Sequence, residues 1–86
     1  MTTRQHAGAG RDVTVAGYVF TPTRDSPGND IRKYPALLNI ISAACNANAR
    51  CVGFNSNGWI KSKLLPIAQW EKWTDNRCLG FYTKKR

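Results

Sequence analysis

Apolar and polar positions alternate from Val13 to Phe20 (VTVAGYVF), with Val13 and Val15 on one face. Val, Thr, Tyr and Phe favour extended backbone, so the segment predicts a strand. Gly17 inside it marks a bulge or a close approach of another chain segment. The alternation then stops. TPTRDSPGNDIRKYP holds Pro22, Pro27, Gly28 and Pro35. Within it Asp25-Ser26-Pro27-Gly28 is turn chemistry, because Pro27 presets φ and Gly28 accepts positive φ. This stretch predicts a structured loop. From Pro35 to Asn48 the period lengthens. Leu37, Leu38, Ile41, Ala44 and Cys45 fall on one helical face. Pro35 suits a first helical turn, and the Asn46–Asn48 end suits a left-handed cap.

A short strand, Cys51 to Ser56, follows the helix. Asn57-Gly58 after it is a strong hairpin signal, since a type I′ turn needs positive φ twice. Trp59 to Ser62 is then the returning strand. Lys63 to Arg77 is irregular, and Cys78 to Thr83 is a last strand. The order strand, loop, helix, hairpin, loop, strand predicts an α+β domain with one helix on a small antiparallel sheet. Residues 1–12 predict a flexible basic arm and residues 13–86 the domain. No apolar h-region lies in the arm and no apolar run is long enough to span a bilayer.

Composition adds a field and a stability problem. The 86 residues carry 13 Lys+Arg against 5 Asp+Glu, a formal charge of +8. Such a charge draws polyanions: nucleic acid, sulfated or uronic polysaccharide, an acidic protein or an anionic membrane surface. The basic residues are dispersed apart from Lys84, Lys85 and Arg86, a run that reads as solvated tail. So short a chain has a small core and benefits from a staple. The 3 cysteines are Cys45, Cys51 and Cys78. A Cys45–Cys51 bridge would tie the helix end to the next strand and contribute about 2–2.5 kcal/mol for so short a loop. Three buried reduced thiols are the alternative. No C-x-x-C pair occurs and the one histidine, His6, lies in the arm, so neither a zinc site nor an activated thiol is indicated.

Among the aromatic residues, Phe20, Phe54 and Phe81 read as core. Trp59, Trp70 and Trp73 read as core packing first and, with Trp59 near Lys61 and Trp70 and Trp73 spaced i, i+3, as candidates for stacking on sugar rings or bases second. Asp25 and Asp30 flank a turn and read as turn-capping groups before they read as an acid–base pair. No Ser-His-Asp set, Walker loop, GxGxxG or HExxH is present, so the sequence leads to the expectation of no enzyme and no cofactor.

GYVF, DSPGNDI, ALLNIISAACNANARCVGFNSNGWIKSKL, QWEKW and CLGFYTK, in that order, span Ala16 to Lys84. This stretch resembles the PAN/apple-like domains repeated in green-algal extracellular and surface proteins. The resemblance implies a curved antiparallel sheet of about five strands cradling one helix, and a helix-to-strand disulfide at Cys45 and Cys51. It implies a noncatalytic module that binds carbohydrate or protein, outside the cell or at its surface. Family members carry a further cysteine near the position of Ala16 or Gly17, to pair with the late one. Here none precedes Cys45, which leaves Cys78 as a free or intermolecular thiol. The expected binding residues are Asn57, Trp59, Lys61, Lys63, Trp70 and Trp73, taking a polysaccharide or protein ligand. A second reading is a small basic accessory subunit of a larger assembly inside a cell, docked on protein or RNA through its termini and not inserted in a membrane.

Overall fold

A computed structural model describes residues 14–72 and 80–85. Among the described residues, seven strands and one α-helix follow the order β1 (Tyr18–Pro22), β2 (Arg24–Asp25), β3 (Asp30–Lys33), α1 (Leu38–Ala47), β4 (Gly53–Asn55), β5 (Trp59–Lys61), β6 (Glu71–Lys72) and β7 (Gly80–Lys84). Five strands form one sheet in the order β1-β7-β4-β5-β3, and every neighbouring pair is antiparallel. β2 and β6 form a separate two-stranded antiparallel ribbon. The α+β expectation holds, with one helix and a five-stranded sheet.

Side chains alternate across the sheet. Tyr18, Phe54, Ile60 and Tyr82 point to one face and bury against Ile41 and Cys45 of α1. The rings of Phe54 and Tyr82 stack with centroids 4.9 Å apart. Tyr18 meets Phe54 edge-on at 5.0 Å, and Phe20 packs on Tyr82 at 4.8 Å. Such ring pairs contribute about 0.5–1.5 kcal/mol each beyond the area they bury. Burial raises the pKa of both Tyr18 and Tyr82, because a phenolate would lose its water. Cys45 and Cys51 are joined by a disulfide with their Cα atoms 5.2 Å apart, so the helix end is tied to the approach to β4.

The helix is shorter than the periodicity predicts. Leu37 is its N-cap in extended conformation, its N–H donates to the Pro35 carbonyl, and its side chain is 55% exposed. Pro35 therefore precedes the first turn, and Leu37 is not a core residue. At the other end Asn48 is extended rather than left-handed. Its N–H donates to the Cys45 carbonyl, and its side-chain oxygen accepts the Arg50 N–H. The Lys84 ammonium, 2.9 Å away, also donates to the Cys45 carbonyl. A cation there satisfies an end carbonyl and suits the helix dipole. Lys84 is thus a helix cap, not solvated tail.

The expected loop between Thr21 and Pro35 contains two strands, β2 and β3. Both are short and rest on pairing with distant segments, which local pattern does not reveal. Gly28 has φ +78° as the turn chemistry requires. The Asn57-Gly58 hairpin forms, with Phe54 opposite Ile60, but only Gly58 of the two has positive φ. The turn is therefore not type I′. At Gly58 a Cβ would lie 2.0 Å from the Tyr34 carbonyl oxygen, so glycine is needed for the close pass of two chain segments. The predicted strand from Val13 starts only at Tyr18, after Gly17 turns at φ +86°. The expected arm (1–12), Trp73 and Cys78 lie outside the described residues. No described helix is long and apolar enough to cross a membrane.

Candidate functional site on the outer face of the sheet

The face of the sheet turned away from α1 combines a polar network with Phe81 and Trp70. Asn55 is 2% exposed and organises it. Its side-chain oxygen accepts the N–H groups of Asn57 and Trp59, each at 3.1 Å, and so holds the hairpin turn. Its amide nitrogen donates to Asp25 of β2 at 3.1 Å, which pins the ribbon over the sheet. Asp25 is a structural acceptor for a side chain 30 residues away, rather than the local turn cap expected. Ser26 is fully buried and accepts the Leu65 N–H at 2.9 Å. Phe81, also fully buried, packs on Trp70 with ring centroids 5.0 Å apart.

Of the six expected binding residues, the five described ones separate; Trp73 lies outside the described residues. Lys61 is 2% exposed; its ammonium forms an ion pair with Asp30 and donates to the Gly28 carbonyl at 3.1 Å. Its charge is spent inside the protein, so it does not attract a ligand. Trp70 is 9% exposed, and its indole N–H donates to the Leu65 carbonyl at 2.7 Å. Buried, hydrogen-bonded and packed on Phe81, it is a packing residue and no stacking platform. Asn57 and Trp59 are half-buried in the hairpin, and Lys63 is exposed. Asp25 and Asp30 serve different partners and do not act together. No group of three or more His, Cys, Asp or Glu among the described residues is placed to hold a metal ion.

The sequence reading missed Lys33. It sits directly opposite Trp59 in the β3–β5 register, and it is exposed. Cross-strand partners share a face, so a cation stands beside the one described tryptophan that is not buried. The signal was the polar alternation of DIRK after the Pro27-Gly28 turn, which that turn chemistry obscured. Trp59, Lys33 and Asn57 thus belong to one edge and turn of the molecule, a ring beside a cation and an amide, while Lys63 lies beyond the far end of β5. That combination suits a hydroxylated ring ligand: the indole covers apolar C–H faces and the cation meets oxygen.

No family model matches the chain, and no solved structure matches it. Two curated relatives, both of Acanthamoeba polyphaga mimivirus, are similar. One, named "Putative glycosyltransferase", is 40% identical over 52 residues, 60% of this chain and 16% of the relative. The other, named "Putative fucosyltransferase", is 37% identical over 71 residues, 80% of this chain and 12% of the relative. The expectation of no enzyme, drawn from missing motifs, is overturned by these names. This chain is similar to segments of viral proteins named as glycosyl- and fucosyltransferases, and it spans less than a fifth of either.

Proposed function

We propose that the chain is a PAN/apple-like glycan-recognition module that works in glycosyl transfer, holding a carbohydrate on the edge formed by Trp59 and Lys33. The observation that carries this reading is Trp59 itself. It is half-buried in β5, its backbone is fixed by Asn55, and Lys33 stands opposite it. A ring held at its base with an open flank loses little entropy on stacking. The names of the two relatives support sugar chemistry in its surroundings, and the fucosyltransferase name makes fucose-containing glycans the first probes. The helix-to-strand disulfide and the cradled helix support the PAN/apple-like assignment.

A glycan array, followed by titration of each hit with indole fluorescence, tests this reading. Trp59→Ala is expected to abolish binding and Lys33→Gln to weaken it, with unfolding midpoints close to that of the parent. No hit on the array, or hits that bind Trp59→Ala as well as the parent, would contradict it.

A further inference from the structure

The ribbon of β2 and β6 has an unusual register. Arg24 lies directly opposite Lys72, and Asp25 directly opposite Glu71. Like charges facing each other across a ladder are destabilising, and a two-residue ribbon has little pairing energy to offset the repulsion. Asp25 points inward to Asn55 and is buried. By alternation, Arg24 and Lys72 share the opposite, outward face. Arg24 is half-buried and Lys72 exposed. Among the described residues neither takes part in an ion pair; Lys61 and Asp30 form the one that occurs there. Of the described acids, Asp25 and Asp30 are engaged elsewhere and Glu71 faces the other side of the ribbon.

The backbone under this pair is firmly held. Asn55 pins Asp25, Ser26 pins Leu65, and Trp70, just before β6, is anchored on Phe81 and on the Leu65 carbonyl. Arg24 and Lys72 are therefore held as opposed cations on a fixed base. We propose that they form an oxyanion clamp, and that its occupant is a sulfate, phosphate or carboxylate group carried by an acidic glycan. An anion seated between the two replaces repulsion with two charge-assisted contacts, from a guanidinium fork and a mobile ammonium. The ribbon covers the same outer face of the sheet on which Trp59 lies, so the clamp adds charge selection to the glycan site and rests on that reading. A glycan is favoured over RNA because both similar viral proteins are named for sugar transfer.

The test is calorimetric titration of the full chain with a neutral fucose oligosaccharide, its sulfated counterpart of equal length, and a single-stranded RNA of equal charge. Variants are Arg24→Gln, Lys72→Gln, and Lys85→Gln as a control for net charge. The expected result is sulfated oligosaccharide binding at least tenfold tighter than neutral. Each ribbon variant should remove about tenfold of that affinity and leave neutral binding unchanged, while Lys85→Gln changes it less than twofold. Circular dichroism should show every variant folded. Equal, Trp59-dependent binding of neutral and sulfated forms would overturn the clamp and leave the glycan module standing. Binding of neither form would overturn both. Ribbon variants that match Lys85→Gln would reduce the effect to overall charge, and tighter binding of RNA through Arg24 and Lys72 would overturn the occupant.

Discussion

The two faces of the five-stranded sheet are held by different physics. The helix side is apolar: Tyr18, Phe54, Ile60 and Tyr82 close over Ile41 and the disulfide. Its stability comes from area removed from water, which is non-directional and tolerates changes of similar volume. The outer side is a satisfied polar network of Asn55, Asp25, Ser26, Lys61 and Asp30, with Phe81 and Trp70 as its apolar fraction. Its groups are directional, and each is costly once a partner is lost. One face folds the chain; the other fixes backbone for a surface.

The largest expected effect is on the apolar side. Phe54→Ala removes the ring that touches both Tyr18 and Tyr82 and should cost about 3–5 kcal/mol. Urea unfolding would show it, and a loss below 1 kcal/mol would break the contrast between the faces.

The polar side should answer asymmetrically. Asp30→Ala leaves the Lys61 ammonium buried with only the Gly28 carbonyl to meet, whereas Lys61→Met leaves Asp30, whose side chain is 40% exposed, free to hydrate. The first substitution should cost about 2–3 kcal/mol and the second clearly less. Equal costs, measured by the same unfolding curves, would mean that the buried cation does not govern this face.

Opening the Cys45–Cys51 bridge, by Cys45→Ala with Cys51→Ala, should cost about 2–2.5 kcal/mol. It should leave ligand affinity unchanged, since the staple lies on the helix side. Alkylation and intact mass on unreduced protein would confirm the bridge first.

Alkali gives the smallest effect and a defined sign. Burial holds the Tyr18 and Tyr82 pKa values above the ordinary 10.0. Below pH 10 the phenols are neutral in both states and their contribution is complete. Above it the unfolded chain ionises first, so stability should fall as pH rises. Urea midpoints between pH 8 and 11 would show a plateau and then a decline; a rise above pH 10 would reverse the assignment.

The same contrast explains what the sequence made legible. Helix period, Cys spacing and the Asn57-Gly58 turn are local signals, and they placed α1, the staple and the hairpin. The apolar face could be read because burial leaves a periodic trace. The outer network could not. Nothing local announces that Asn55 will bond Asp25 thirty residues away, or that Lys61 will be buried by Asp30. Lys61 and Trp70 read as ligand groups because their residue types suit both roles, and only tertiary placement decides between them. Lys33 and the Arg24–Lys72 pair emerge solely from strand register. Leu37 fitted the helical period and was still left out of the core, because the chain is extended there.

The most direct test of the central claim, that the outer face recognises glycan while the helix side only folds, is an amide chemical-shift titration with the sulfated fucose oligosaccharide. Shifts are expected at Lys33, Asn57 and Trp59 and along β2 and β6, with α1 from Leu38 to Ala47 unmoved. Shifts concentrated on α1, or a spectrum unchanged at millimolar ligand, would contradict it.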